Sequence, residues 1–282
     1  MAITERRLAA RDLAGCIALS RSAHWNQNEA DWRLMLEIGR GWGLFLADGT
    51  AVASTVVLPY GNRFAWISMV LVLPEHRRRG HASRLLRAAM SDLRVNGLAA
   101  VLDATPAGYE VYVKEGFRES WKFARLQLGA APRGTAQESG GVRPMAASDW
   151  PALLALDAPA FGASRERLLR ALAARLPQAA LVIERAGRLA GFLLGRDGLE
   201  ASQLGPLVAA DEDAARALLA AALPRVAPPL YLDVAEHAVE LRRWLEARGF
   251  AFQRPFTRMV HGADRAPGDE RRQFAVAGPE LG

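Results

Sequence analysis

A short basic loop followed by a helix is the segment of this chain whose residue types and spacing most clearly suggest chemistry. A strand ends near residue 73, the loop 77–80 reads RRRG, and an amphipathic helix begins directly after it. The first turn of a helix has unpaired N–H groups and a positive dipole end, so it attracts anions. Because Gly80 and Ala82 carry little or no side chain, backbone amides there can approach a ligand closely. The segment therefore predicts a site for a diphosphate group.

Two other phosphate-binding motifs do not fit this segment. No Gly-Lys-Ser/Thr follows the loop, as a P-loop would require, and the GxGxxG spacing of dinucleotide-binding folds is missing. A glycine turn with solvent-facing arginines is the alternative interpretation, and it needs no ligand.

Two motifs resemble the signatures of the GCN5-related N-acetyltransferase (GNAT) family. The loop 77–82 (RRRGHA) is similar to that family's acetyl-CoA signature, Arg/Gln-x-x-Gly-x-Gly/Ala, and residues 112–117 (YVKEGF) are similar to its Tyr-x-x-x-Gly-Phe. The order of predicted elements over 1–128 also fits the family. The segment 25–32 (WNQNEADW) and a two-domain arrangement further resemble a bacterial tandem subgroup.

The resemblance implies an N-acetyltransferase that uses acetyl-CoA as co-substrate. No metal is expected, because the five histidines are scattered without metal-ligand spacing. It implies contacts from a strand backbone to the pantetheine arm and from loop amides to the pyrophosphate. It also implies a contact from residue 105, where the family often has Asn and this chain has Thr. The cofactor-binding residues expected on this basis are Val70, Leu71, Val72, Arg77, Arg78, Arg79, Gly80, His81, Ala82, Ser83, Thr105 and Tyr112.

Tyr112 is the candidate general acid. An amine that attacks the thioester carbonyl creates a tetrahedral oxyanion, which backbone N–H groups can stabilise. A phenol within hydrogen-bond reach can then protonate the leaving thiolate. The alternative for Tyr112 is a core aromatic, four residues before Gly116 on a helix.

The base and the acceptor contacts are less well defined. Asp103, at the end of a predicted strand, is a candidate base or acceptor contact, although it could instead cap the next helix. A water chain to solvent is a further route for the proton. The acceptor pocket of the family is lined by the loop between the first helices, so the expected acceptor residues are His24, Trp25, Asn26 and Trp66. For the tryptophans core packing is the stronger interpretation, and His24 could be an ordinary surface residue.

Hydrophobic periodicity and Gly/Pro punctuation predict the elements that must position these residues. Helices are predicted over 11–23, 28–38 (with Asn28 as N-cap), 80–95 and 107–115, and strands over 42–48, 50–60, 63–73, 99–104 and 117–128. A similar series of elements follows residues 129–141, which read as a linker of small and turn-forming residues.

The second series is predicted to be a repeat of the first. Leu102-Asp103 recurs as Leu232-Asp233, and Gly116-Phe117 recurs as Gly249-Phe250. Chance is the alternative, since Gly followed by an aromatic strand residue is common at helix ends. The predicted fold class is α/β (α+β), with two tandem GNAT-like domains that each have a mixed, mostly antiparallel sheet flanked by helices. The predicted domains are 1–128 and 142–262, and a tail over 263–282 carries a short docked strand at 274–278.

The second domain is predicted to be a degenerate copy. Its counterpart of the basic loop has no glycine and carries Asp211, Glu212 and Asp213, which suit a helix N-terminus but repel a diphosphate. Leu245 stands where the first domain has Tyr112.

Composition sets the remaining expectations. The chain has 282 residues, 51% of them hydrophobic, and one cysteine, Cys16, so neither an internal disulfide nor a cysteine-based zinc site is predicted. Its net charge of +6 is spread along the chain without a basic tail, so no specific nucleic-acid partner is expected. No apolar run spans a bilayer and no signal sequence is recognised, so a cytoplasmic enzyme without membrane contacts is expected. A small-molecule amine is the expected partner, homodimer formation is left open, and the alternative function is a non-catalytic acyl-CoA-binding or regulatory protein.

Overall fold

The fold is described from a computed structural model of the chain, in which residues 3–132 and 140–282 are described. The predicted linker 129–141 falls largely on residues 133–139, which lie outside the described residues.

Strands and helices alternate along both halves of the described chain. The strands are β1 (Thr4–Arg7), β2 (Arg40–Phe45), β3 (Ala51–Tyr60), β4 (Phe64–Val72), β5 (Ala99–Ala104), β6 (Arg118–Leu128), β7 (Val142–Pro144), β8 (Leu181–Arg185), β9 (Arg188–Arg196), β10 (Ser202–Ala209), β11 (Leu230–Ala235), β12 (Ala251–His261) and β13 (Gln273–Ala275). The helices are α1 (Leu13–Ser22), α2 (Glu29–Ile38), α3 (His81–Val95), α4 (Pro106–Lys114), α5 (Trp150–Phe161), α6 (Glu166–Arg175), α7 (Glu212–Ala222) and α8 (Val239–Ala247).

The boundaries of the first-half elements lie close to the predicted ones, because local signals define them. Asn28 is the N-cap of α2, and its side chain accepts a hydrogen bond from the Asp31 amide at 3.2 Å. The carboxylate of Asp31 accepts one in return from the Asn28 amide, at 2.9 Å. This reciprocal capping satisfies two otherwise unpaired N–H groups and fixes where α2 begins.

The strands of both halves form one mixed sheet rather than two separate ones. Its order among the described residues is β1-β2-β3-β4-β5-β12-β6-β11-β13-β10-β9-β8-β7. The last long strand of each half has therefore crossed to the other half: β12 pairs with β5, and β6 pairs with β11. The predicted mixed α/β class is confirmed, and the sheets predicted for the two halves are joined into one continuous sheet.

Two buried ion pairs hold the exchanged strands in register. Arg258 on β12 lies directly opposite Asp103 on β5, with Nε–Oδ1 and Nη2–Oδ2 distances of 2.9 and 3.0 Å. Arg125 on β6 lies directly opposite Asp233 on β11, with the corresponding distances 2.8 and 2.7 Å. The four side chains are at most 2% exposed. A slip in either strand would leave buried charges without partners, which is costly.

The two exchanged strands also pair with each other at the centre of the sheet. Phe123 of β6 lies opposite Phe256 of β12, and their rings stack at 5.0 Å between centroids. These two residues are separated by the same 133 positions that separate Gly116 from Gly249. Equivalent residues of the repeat therefore face each other, as expected at a local two-fold axis.

Four apolar clusters are found among the described residues, and the smallest is formed by Phe123, Phe256 and Val276 at the centre of the sheet. The other three are larger. One joins α3 to the first half, through Leu85 and Leu86, and a second joins α7 and α8 to the second half. The third is shared, because Trp32 and Met35 of α2 belong to the same cluster as Phe161 of α5. The two halves thus share a core as well as a sheet. Within the described ranges, no helix combines the length and apolar character needed to cross a membrane.

We expect Arg125→Met to destabilise the protein by about 3–5 kcal/mol, because it leaves the buried Asp233 carboxylate without its cation. Denaturant unfolding would measure the loss. The matched control is Arg242→Met, which removes an exposed pair with Glu246 on α8 and should cost about 0.5 kcal/mol or less. Equal effects of the two substitutions would contradict a role of the buried pair in stability.

Candidate functional site

A cleft opens in the first half where β4 and β5 separate. The two strands are paired in parallel only over Phe64–Trp66 and Ala99–Val101. Beyond this, Met69 has a φ of +51°, and the pairing of β4 with β3 shifts register. A bulge of this kind bends a strand away from its neighbour. A hydrogen bond from β3 stabilises the bulge at Met69, since the Ser54 hydroxyl donates to the Met69 carbonyl at 2.8 Å.

A pocket lies at this cleft. The first half supplies β4 residues 67–70 together with side chains from β5 and α4. The other walls come from the loop before α2, from the exchanged strands and from the last residues of the sequence. The lining residues are Trp25, Gln27, Ile67, Ser68, Met69, Val70, Asp103, Thr105, Tyr112, Arg125, Arg254, Phe256, Pro279 and Glu280.

Tyr112 extends from α4 into the pocket. Burial raises the pKa of its phenol to about 12, so the hydroxyl remains protonated at neutral pH. Gly108, one turn earlier on α4, makes room for the ring, since a Cβ there would lie 2.8 Å from Tyr112 Cε2 and 3.4 Å from its Oη. Sequence reasoning missed Gly108. A glycine four residues before a candidate catalytic tyrosine on a helix was the available signal.

The loop before α3 presents a row of free amides. Gly80, the N-cap of α3, has a φ of +79°, and Arg78 also has a positive φ, +60°. Within the ranges that the structure describes, none of the six amides of residues 78–83 donates a hydrogen bond to a protein group. A Cβ on Gly80 would meet no protein atom within 4 Å. Six free donors at a helix N-terminus form a suitable binding surface for a diphosphate.

Two of the loop arginines brace the backbone that carries these amides. Arg77 donates from Nε to the Val72 carbonyl at 3.1 Å, and Arg79 donates from Nη2 to the Glu75 carbonyl at 2.9 Å. Residues 77–80 are exposed, so the guanidinium charges face solvent close to the amides. Burial and the neighbouring His76, Arg79 and Arg84 lower the pKa of His81, which favours its neutral form.

Asp103 lines the pocket but is already paired. Both its carboxylate oxygens accept hydrogen bonds from Arg258, and the side chain is fully buried. Burial raises its pKa to about 6 despite the opposing effect of Arg258. Its alternative role as a helix cap is wrong, since no side-chain cap is found at the start of α4. Thr105, the N-cap residue of α4 by position, lines the pocket beside it.

Only one of the four expected acceptor residues lines the pocket. Trp25 does, whereas His24 is exposed, with a φ of +52°, and lies outside it. The left-handed turn at His24 directs the chain so that Trp25 and Gln27 reach the pocket. The sequence analysis did not predict Gln27 as a pocket residue, because a glutamine is neither aromatic nor ionisable and so did not stand out beside Trp25.

Asn26 forms hydrogen bonds between the two halves and does not line the pocket. Its Nδ2 donates to the Ala201 carbonyl at 2.9 Å, and its Oδ1 accepts from the amides of Glu200 and Ala201 at 2.8 and 3.0 Å. These three bonds use the amide group of a fully buried side chain, so the structure assigns it to the interface between the halves.

Trp66 is a core residue and does not line the pocket. It is 1% exposed, and its Nε1 donates to the Pro279 carbonyl at 2.9 Å. The Arg258 guanidinium lies 4.4 Å from its ring centroid, and the ring of Phe161 is close by. Because its ring is covered by these neighbours, no face remains for an acceptor.

The corresponding cleft in the second half is filled by the chain itself. The parallel pairing of β10 with β11 covers Ser202–Leu204 and Leu230–Leu232. Where the strands would separate, β13 lies between them and pairs with both. The strand predicted at 274–278 is thus shorter, begins one residue earlier, and occupies the position of a ligand-binding cleft.

The helix that follows this filled cleft begins with acidic residues and a side-chain cap instead of a glycine turn and arginines. The Asp211 side chain caps α7 by accepting from the Ala214 amide at 2.8 Å, and it binds Arg185 at 2.5 Å. Leu245, the counterpart of Tyr112, is fully buried in the second apolar cluster. Within the described part of the second half, neither the glycine turn before α3 nor the phenol of Tyr112 has an equivalent.

Comparison with known proteins assigns both halves to one family. Residues 10–117 match the family model described as "Acetyltransferase (GNAT) family", and residues 153–275 match the one described as "Acetyltransferase (GNAT) domain". The chain therefore belongs to the GNAT acetyltransferases and carries two such domains in tandem, which confirms the family inferred from its motifs.

Individual relatives share the whole two-domain arrangement. The chain is 24% identical to "Uncharacterized N-acetyltransferase YitH" of Bacillus subtilis over 86% of each protein. A putative acetyltransferase from Pyrococcus horikoshii has a TM-score of 0.81 at 22% identity, with 99% of this chain and 96% of that chain covered. A tandem GNAT protein from the clavulanic acid biosynthesis pathway has a TM-score of 0.63 at 16% identity, over 92% of this chain and 98% of that one. At such identities the structural likenesses establish the fold alone.

We expect Gly80→Val to abolish detectable acetyl-CoA binding. A branched side chain opposes the left-handed φ and occupies the space in front of the free amides. The matched control is Gly97→Val at the other end of α3, where φ is +65° and a Cβ would likewise meet no atom within 4 Å. Calorimetry should find normal affinity in the control, and undiminished affinity in Gly80→Val would remove the assignment of this loop.

The filled second cleft leads us to expect one acetyl-CoA per chain. The acidic residues at the start of α7 repel a diphosphate, and β13 occupies the cleft. Equilibrium dialysis or calorimetric titration gives the stoichiometry directly. A value of two would mean that β13 leaves its cleft when the ligand binds, contrary to this expectation.

Proposed function

We propose that the first half transfers the acetyl group of acetyl-CoA to a primary amine of a small molecule, by direct attack in a ternary complex. The observation that carries this proposal is that the first half combines a row of free backbone amides before α3 with a buried, protonated phenol in a pocket. The amides of residues 78–83 supply the anion site, and Tyr112 marks the pocket where the acyl group would react.

The chain's own groups suit acetyl-CoA along this cleft. The amides of Arg78 to Ser83 would hold the pyrophosphate, with the exposed charges of Arg77, Arg78 and Arg79 adding attraction. The part of β4 beyond its pairing with β5, including Val70, Leu71 and Val72, would pair by its backbone with the pantetheine arm. Thr105 would lie beside the arm where it enters the pocket.

The proposed reaction forms a C–N bond and breaks the thioester C–S bond. The amine, after losing a proton, attacks the carbonyl carbon, and backbone N–H groups at the bulge near Met69 would stabilise the oxyanion. Tyr112 would donate its phenolic proton to the departing sulfur and regain one from the nitrogen of the new amide. The net products are the acetylated amine, the free thiol of CoA and one proton.

The enclosure of the pocket favours a small acceptor over a protein side chain. The pocket lies between the halves, and residues 279–280 form part of its wall. The second half would therefore serve to complete the acceptor pocket, having lost a cofactor cleft of its own.

We expect Tyr112→Phe to lower turnover by about 10²–10⁴-fold, the usual contribution of one general acid. Affinity for acetyl-CoA should change little, since a single neutral hydrogen bond contributes only about 1 kcal/mol net. Thiol release with a panel of primary amines would measure the rate under conditions where product release is not limiting. The control is Tyr109→Phe on the same helix, whose hydroxyl bonds to Glu119 at the surface.

Near-normal turnover in Tyr112→Phe would contradict the general-acid hypothesis and indicate that Tyr112 only packs in the core. Acetyl-CoA binding by the wild type without thiol release for any amine would instead favour the alternative, a non-catalytic acyl-CoA-binding protein.

A further inference from the structure

The last residues of the sequence bring a glutamate into the pocket and hold it there. Beyond β13 the chain turns at Gly278, and three side chains bind successive parts of the turn. Trp66 donates to the Pro279 carbonyl at 2.9 Å, Tyr60 to the Leu281 carbonyl at 2.8 Å, and Arg165 to the Gly282 carbonyl at 2.5 Å. Glu280 is therefore fixed on both sides, with its side chain in the pocket wall.

The carboxylate of Glu280 has only one of its oxygens satisfied. Oε1 accepts a hydrogen bond from Nη2 of Arg196, whereas Oε2 is buried without a hydrogen-bond partner among the described residues. The residue is 3% exposed. A buried carboxylate oxygen without a donor is costly, so the pocket is better satisfied when a ligand supplies that donor.

The same pocket offers two further features that suit a cation. Gln27 is also 3% exposed, and its Oε1 likewise has no hydrogen-bond partner within the described ranges. Trp25 adds an aromatic ring to the same lining. An ammonium group has three donors and no acceptor, and it is attracted to aromatic faces. Two free oxygens and an indole therefore match a primary ammonium.

Of the two arginines in the pocket lining, Arg125 has its charge paired, whereas Arg254 has no ion-pair partner among the described residues. Arg125 is paired with Asp233. Arg254 lies opposite Arg125 across the β6–β12 pair, and its buried Nε has no hydrogen-bond partner among the described residues. The charge of Arg196 is shared between Glu280 and Asp31.

Asp103, the other carboxylate in the lining, is less suited to the role. Both its oxygens are bound by Arg258. Glu280 is thus the carboxylate of this pocket with a free oxygen.

We propose that Glu280 binds the ammonium group of the acceptor, so that acceptors are cationic primary amines held by the free Oε2 with help from Gln27 and Trp25. This rests on the proposed acetyl transfer in the first half. It assigns acceptor recognition to a residue from the far end of the second half, on a segment that also fills the second cleft.

The test uses n-butylammonium and n-butyrate as probes of equal length and opposite charge. Calorimetry on the full chain saturated with CoA, which carries no acetyl group, avoids turnover. We expect the wild type to bind butylammonium and not butyrate. Glu280→Gln can keep an acceptor for Arg196 but replaces the free oxygen by an N–H donor, so its butylammonium affinity should fall at least tenfold while CoA affinity is unchanged.

The control variant is Glu270→Gln, an exposed glutamate on the turn before β13, which should bind both probes like the wild type. If Glu280→Gln does not fold, Gln27→Leu tests the second free oxygen and should weaken butylammonium binding several-fold. Unchanged butylammonium affinity in the folded variant, equal binding of butyrate, or no binding of butylammonium by the wild type would overturn the proposal.

These outcomes separate the proposal from the proposed function. If the protein binds CoA normally but does not bind butylammonium, the proposed role of Glu280 is contradicted and the proposed acetyl transfer is not. If the protein binds butylammonium in a manner that depends on Glu280 but does not bind CoA, the proposed acetyl transfer is contradicted and the proposed ammonium site is retained.

Discussion

The reciprocal exchange of β6 and β12 is the constraint on which the rest of the structure depends. Each exchanged strand carries a buried arginine, Arg125 or Arg258, that meets an aspartate on the other half's strand. A buried charge without its partner is far more costly than an unpaired surface charge, so both contacts favour a single register. The exchanged strands contribute Arg125, Arg254 and Phe256 to the pocket, which therefore contains residues from both halves. Neither half could present the same site alone.

The two clefts show how duplication has led to one site instead of two. In both halves a strand bends where its pairing with the next parallel strand ends, at Met69 on β4 and at Gly205-Pro206 on β10. In the first half the gap between the two strands forms the pocket, whereas in the second half β13 fills the corresponding gap. The chain that fills the second gap then continues to Glu280 in the wall of the first. The segment that fills the second cleft thus holds one wall of the remaining pocket, so the second half has a structural role even without a cleft of its own.

The parts of this picture that could be predicted from sequence are those set by local signals. Asn28 caps a helix through residues three positions away, and the loop before α3 depends on Gly80 and its immediate neighbours. The repeat of Leu102-Asp103 also pointed correctly to two related halves. The exchange of strands could not be predicted in the same way, because β6 and β12 have similar patterns and similar positions in their halves. Alternation of apolar residues tells which face of a strand is buried, but not which of two equivalent neighbours it pairs with.

The acceptor side of the site was predicted poorly, because its contacts join residues far apart in the sequence. Asn26 looked like a pocket residue from its loop, yet its partners lie 174 and 175 positions away. Glu280 gave no signal, since a lone acidic residue near the end of a sequence is normally solvated. One clue was nevertheless present: arginines 125 and 258 stand in apolar strands at equivalent places in the repeat, where a charge needs a buried partner. The repeat offers two aspartates for them, Asp103 and Asp233. Pairing within each half or between the halves would satisfy the charges equally, so it is the geometry of the sheet centre, where Phe123 meets Phe256, that decides between the two.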